Sequence, residues 1–306
     1  MVFRMVGRVL AVLLLVFAVG ARADEARLFT DCRGDKTAAP MVILEAGAFG
    51  TSADWQFVLN DLSLGGRVCA YDRAGLGRSP GADKPKDVQS RARQLAELLD
   101  QMGETGPVIL VGHSNGALYA EAFARMWPTR VAGVVYVNGV GTDALDHPLL
   151  VHDLLKEGRL AELAARAERL GLAPIIAPML IDQMHLSGDA ARRKYHSLTC
   201  RACVKVARDE DRLLIPGLIA ARDLPDDVSA IPVAVISADT NTKSELAMAF
   251  HAAQIAPAQR AKYGWILDAP GANHVSPLAR DRAYVVAAVN WLRATYAASP
   301  DAGVVH

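Results

Sequence analysis

The sequence predicts an α/β protein: a mostly parallel sheet with flanking helices and a helical cap inserted between two late strands. Three observations carry this. Short β-rich apolar runs alternate with amphipathic helical stretches, the order that builds a parallel sheet covered by helices. The runs are continuously hydrophobic, as strands buried on both faces require. Between about Gly141 and Ala230 the alternation stops, and helical segments punctuated by Pro174, Pro178, Pro216 and Pro225 take its place.

The elements follow in chain order. Arg4 and Arg8 form a positive n-region, Val9 to Val19 an apolar h-region, and Ala21-Arg22-Ala23 a small-residue cleavage site, the pattern of a signal peptide over residues 1–23. The apolar run is shorter than the roughly 20 residues that a comfortable membrane span needs. The chain is therefore expected to be exported, periplasmic or secreted, with cleavage after Ala23. The alternative is an uncleaved N-terminal anchor. Strands are expected at Met41–Glu45, Arg67–Tyr71, Val108–Val111, Gly133–Val137, Pro232–Ser237 and Gly264–Leu267. The helical period shows after Asp87, with Val88, Leu95, Leu98, Leu99 and Met102 on one stripe and Gly103 as the stop. It returns in the last helix as Val285, Val289, Leu292 and Tyr296. These positions imply a core in two parts, 24–140 and 231–306, with residues 141–230 as the cap. A separate helical domain is the alternative for that insertion.

Formal net charge is zero, with 33 basic and 33 acidic residues, so the basic footprint of a nucleic-acid binder is missing. Cys32, Cys69, Cys200 and Cys203 would pair in an oxidising compartment, and Cys32 with Cys69 and Cys200 with Cys203 is the favoured connectivity of three. On the loop-entropy model these would contribute about 4 and about 2 kcal/mol. The rival readings of Cys200-Arg-Ala-Cys203 lack support. A redox motif wants a thioredoxin-like strand before it, and zinc wants a second ligand pair.

One motif carries chemistry. Val108-Ile-Leu-Val runs straight into Gly112-His-Ser114-Asn-Gly116, and helical sequence continues from Ala117 to Met126. A strand, a tight turn and a helix around G-x-S-x-G form the context of a nucleophile elbow, where a strained serine projects its hydroxyl and the flanking glycines tolerate crowding. The helix start adds backbone N–H groups and a positive dipole end. His113 is expected to pack or hydrogen-bond beside the elbow. Asp72 and Arg73 are expected to form an ion pair that organises the turn beside Gly75 and Gly77.

The sequence resembles the α/β-hydrolase superfamily. Beside the elbow, Glu45-Ala-Gly-Ala-Phe-Gly50 is similar to the family's oxyanion loop, Arg67 to Ser79 to its glycine-rich turn, and Gly271-Ala-Asn-His274 to its histidine loop. The matches run from about Cys32 to Trp291, the insertion excepted, and look most like proline iminopeptidases, cofactor-free haloperoxidases and small esterases. The resemblance implies an α/β-hydrolase fold and a serine hydrolase with Ser114 as nucleophile and His274 as general base. It also implies an oxyanion hole from the backbone N–H groups of Asn115 and Ala48, with Phe49 the alternative to Ala48. For the acid, Asp239 is the first choice, in Ser237-Ala-Asp-Thr-Asn241. Asp143 and Asn138 are alternatives at the end of the strand before the insertion. Both customary positions, Asn241 and Asn138, carry an amide.

The expected substrate is a small-molecule acyl compound, foremost a carboxylic ester, with Met179, Leu180 and Met184 shaping the acyl pocket. No metal or organic cofactor, nucleic-acid partner or stable membrane insertion is implied. Two alternatives stay open. The same triad would serve an aminopeptidase, acyltransferase or perhydrolase, for which Glu157, Glu162 and Glu168 are candidate amine-binding acids. Loss of the triad would leave a non-catalytic binding protein.

Overall fold

Alternate residues of the central strands point to opposite faces, and each face is apolar enough to need its own cover. Ile43, Leu110, Val134 and Val235 pack on one side, while Leu44, Val111, Val135 and Ile236 pack on the other. The computed structural model describes residues 27–225, 228–238 and 244–299, less the side chains of Glu157 and Leu160. The expected signal segment 1–23 and Asp239 lie outside these residues.

Seven strands are present among the described residues: β1 (Thr30–Arg33), β2 (Val42–Glu45), β3 (Val68–Tyr71), β4 (Val108–His113), β5 (Val131–Val137), β6 (Val233–Ala238) and β7 (Gly264–Ala269). Their order is β1-β3-β2-β4-β5-β6-β7. All pairs are parallel except β1 with β3. The edge strand β1 is the one that sequence patterning does not reveal, because Thr-Asp-Cys-Arg carries neither an apolar run nor an alternation. It is fixed instead by the Cys32–Cys69 disulfide, whose two residues are register partners. The Cys200–Cys203 disulfide is present as well.

One face is covered by α2 (Val88–Gln101), α3 (Gly116–Met126) and α9 (Glu245–Arg260), the other by α1 (Gln56–Leu62) and α10 (Ala283–Ala297). The start of α2 is set by Asp87, whose side chain accepts from the Ser90 N–H at 2.9 Å. Val88, Leu95, Leu98 and Leu99 are buried along its inner stripe. No helix among the described residues is long and apolar enough to cross a membrane.

Between β5 and β6 lie five helices: α4 (Pro148–Arg169), α5 (Ala173–Gln183), α6 (Gly188–Thr199), α7 (Arg201–Arg212) and α8 (Leu214–Arg222). They are not a detached unit. Lys194 of α6 donates to Asp54 at 2.9 Å, Glu210 of α7 pairs with Arg73 at 2.8 Å, and Arg193 reaches Asp31 at 3.0 Å. The first two pairs are buried on both sides. Such pairs add little over apolar packing of equal volume, but breaking one is costly, so they fix where the helices sit on the sheet.

Candidate active site

The strand order reverses between β2 and β4, since the chain leaves β2 toward β3 and leaves β4 toward β5. A crevice opens at the carboxyl ends of such a pair, and the two loops that flank it carry Gly47-Ala48-Phe49 and Ser114.

Ser114 has a left-handed φ of +52°, a conformation that costs a non-glycine residue about 1–3 kcal/mol. Its N–H is held by the Val137 carbonyl at 3.1 Å, and α3 begins two residues later. A Cβ on Gly112 would meet the Gly116 carbonyl, and one on Gly116 would meet the carbonyls of Glu45 and Ala46. Both positions therefore require glycine. The oxyanion loop is equally close: a Cβ at Gly47 would come within 2.9 Å of that of Ser114. The backbone N–H groups of Ala48, Phe49 and Asn115 find no protein acceptor among the described residues. Donors left free beside the serine are what a developing oxyanion needs.

His274 follows β7 and joins Ser114 at the same cavity. Its ring is solvent-accessible there, yet protein crowds it enough that desolvation lowers its pKa below the ordinary imidazole value. His113 Nε2 lies 2.8 Å from the His274 carbonyl oxygen. A carbonyl only accepts, so this nitrogen carries the hydrogen. Burial pushes the His113 pKa down to about 3, and a neutral ring thus pins the histidine loop to the elbow.

Asn138, not an aspartate, meets the other end of His274: its Nδ2 lies 2.8 Å from Nδ1. The amide orientation follows from the network. Asn138 Oδ1 accepts from the Ala238 N–H at 3.1 Å and from Gln254 Nε2 at 2.8 Å. A flipped amide would set two donors, Nδ2–H and the Ala238 N–H, against each other. Nδ2 must therefore donate to Nδ1, which leaves the imidazole hydrogen on Nε2. The Asn138 oxygen thus does not hold the base-competent tautomer. Asp143 is not brought to His274. Its carboxylate is paired with Arg260, with one hydrogen bond of 2.9 Å. Asp239 lies outside the described residues.

The cavity above these groups has a volume of about 420 Å³, within the range of small-ligand sites. Its floor is Gly47, Ala48, Phe49, Ser114, Asn115 and His274, and its roof is apolar surface from α4 to α6, including Ala161, Ala164, Ile176 and Leu180. Of the three expected acyl contacts, Leu180 and Met184 line the cavity, whereas Met179 is exposed and does not. Glu162 pairs with Arg208 and Arg212, and Glu168 stays off the cavity wall. The side chain of Glu157 lies outside the described residues.

Asp72 does not pair with Arg73, contrary to the expectation from their adjacency. It accepts from the N–H groups of Ser52 at 2.7 Å and Arg78 at 2.8 Å, so it organises the turn alone, while Arg73 turns inward to Glu45 and Glu210. Asp211, which no motif singles out, lines the cavity. A signal existed: Cys203, Val204, Ala207, Glu210 and Asp211 form one buried helical stripe, so both acids fall on the inner face.

Among the described residues, one group offers three metal-ligand atoms, His196, Cys200 and Cys203, within 4.8 Å. Its two sulfurs are joined to each other, so the thiolates that a metal would need are not available.

The model of the alpha/beta hydrolase family matches residues 42–288. A putative carbamate hydrolase RutD of Variovorax paradoxus is 41% identical over 99 residues, 32% of this chain and 37% of that protein. An AB hydrolase superfamily protein of Gibberella zeae is 35% identical over 123 residues, 38% of either chain. The chain thus spans under two fifths of the length of these two relatives. A thermophilic esterase from Thermogutta terrifontis superposes with a TM-score of 0.61 at 21% identity, covering 90% of this chain and 97% of that one. The enol-lactonase from Burkholderia xenovorans gives 0.64 at 17%, covering 89% and 98%. With the family model matched from β2 into α10 and the seven-stranded sheet in place, the chain belongs to the alpha/beta hydrolase family.

Proposed function

We propose that the protein is a serine hydrolase that cleaves a carboxylic ester through an acyl-enzyme on Ser114. The observation that carries this is the meeting of Ser114 on its strained elbow, His274, and the free N–H groups of Ala48 and Asn115 around one apolar cavity. An esterase, an enol-lactonase and a putative carbamate hydrolase among its relatives and structural neighbours agree with acyl chemistry.

Ser114 Oγ attacks the carbonyl carbon, and its proton passes to Nε2 of His274. The carbonyl π electrons move onto oxygen, which the N–H groups of Ala48 and Asn115 receive. Collapse expels the alcohol, which leaves with the proton from His274. Water then repeats the sequence on the acyl-enzyme. For this, His274 must first hold its hydrogen on Nδ1, and Asn138 as oriented favours the opposite tautomer. The base form is therefore a minor population, and the resting enzyme is an attenuated triad. Asn138 already occupies Nδ1, so Asp239, the first choice from the sequence, would have to displace Asn138 to serve as the acid.

We also propose that the chain is exported after cleavage behind Ala23, a reading with which the two disulfides agree. The enzymatic assignment is tested with a fluorophosphonate probe. Wild-type protein should be labelled and Ser114→Ala should not, with ester turnover lost in parallel. Equal labelling of the variant overturns the assignment.

A further inference from the structure

The last turn of α7 brings Asp211 to the cavity wall with nine-tenths of its surface buried. Oδ1 accepts from Asn115 Nδ2 at 3.1 Å. Asn115 is the residue directly after Ser114 and one of the two proposed oxyanion donors, so this carboxylate is tied to a residue of the oxyanion site and lines the same cavity.

No cation balances it among the described residues. Lys194, the other charged cap residue on the cavity, is taken by Asp54 at 2.9 Å and the Phe49 carbonyl at 3.1 Å. Arg73 and Arg91 are taken by Glu210, and Arg212 by Glu162. Burial raises the pKa of Asp211 against the Asn115 hydrogen bond, and the charge that acts on it, the neighbouring Glu210 carboxylate, has the same sign and raises it further. Asp54 and Lys194 cancel one another, so the cavity carries one uncompensated acid.

An ionised Asp211 without a cationic partner opposes the oxyanion. A neutral donor on the substrate would hydrogen-bond to it but leave the charge in place. A protonated amine satisfies both needs, since it pairs with the carboxylate and removes the field that disfavours the transition state. We propose that Asp211 is the specificity-determining residue of the site and takes up an ammonium group close to the scissile carbonyl. The preferred substrates are then amine-bearing acyl compounds whose apolar remainder lies along Ala161, Ala164, Ile176 and Leu180. This rests on the serine hydrolase assignment of the same cavity.

The test compares Asp211→Asn with wild type on two naphthyl esters of equal chain length, one with an amine beside the carbonyl and one without. Asparagine keeps the shape and an oxygen for Asn115. The ratio of kcat/KM for the cationic over the neutral ester should fall at least tenfold in the variant. The loss should appear mainly as a higher KM for the cationic ester, together with a gain in kcat for the neutral one. An unchanged ratio in a variant that still hydrolyses the neutral ester overturns the amine site and leaves the hydrolase assignment standing. Absence of fluorophosphonate labelling at Ser114 in the wild type overturns both.

Discussion

Asn138 donates from Nδ2 to Nδ1 of His274 across 2.8 Å, with its own oxygen held by Ala238 and Gln254. A carboxylate in the same place would accept from all three donors, because aspartate has no hydrogen to offer and no orientation to choose. Asn138→Asp should therefore raise kcat on esters at least tenfold. The opposite exchange, aspartate to asparagine in the triad of a serine protease, lowers kcat by about 10⁴-fold through the same wrong tautomer. The pH profile should move as well. In the wild type, desolvation lowers the His274 pKa, so the neutral base persists below the ordinary imidazole value and activity with it. The new carboxylate favours imidazolium and shifts the acid limb to higher pH. Asp239→Ala should leave turnover within about twofold. A folded Asn138→Asp enzyme without gain, or a hundredfold loss in Asp239→Ala, returns the acid role to Asp239.

His113 makes stability depend on pH. Its folded pKa is about 3 against an ordinary 6.5, so the unfolded chain binds one more proton throughout that window. Stability is then full above 6.5 and falls as pH drops toward 3, by about 1.4 kcal/mol per unit. Between pH 7 and pH 5 the loss from this residue should be about 2 kcal/mol. His113→Asn, which keeps a donor for the His274 carbonyl and does not titrate, should lose less over the same interval. Urea unfolding midpoints of both proteins at the two pH values decide the matter. Parallel shifts would mean that His113 is not the group that titrates.

The elbow was legible because its demands are local: a buried strand, two glycines that no side chain can replace, and a helix. His274 was legible from its loop after the last strand. What escaped the sequence shares one cause, the meeting of residues far apart in the chain. Nothing along the chain shows that Gln254 and Ala238 fix the amide of Asn138, or that Arg73 prefers Glu210, 137 residues away, to the adjacent Asp72. Strand β1 escaped for another reason: its four residues are half-buried at an edge, where no hydrophobic period is required.

The Arg73 cluster should be the most sensitive point of the cap–core contact. Arg73 is 2% exposed and bonds to Glu45 at 2.7 Å, to both oxygens of Glu210 at 3.0 and 2.8 Å, and to the Gly47 carbonyl at 3.0 Å. Glu210 also has Arg91 and is held below the usual carboxylate range, whereas Glu45 is raised by burial despite Arg73 and the Tyr71 hydroxyl. Arg73→Met would leave Glu45 buried without a cation and Glu210 with Arg91 alone, and should cost about 3–5 kcal/mol. Lysine should rescue poorly, since one ammonium cannot reproduce the planar fork. The loss should reverse in large part when Glu45→Gln is added, because Glu210 keeps Arg91 and no carboxylate is then buried without a cation. Urea midpoints of the single and double variants measure this. A loss below about 1 kcal/mol for Arg73→Met would place the cluster among exposed ion pairs and deny it the role of fixing the cap.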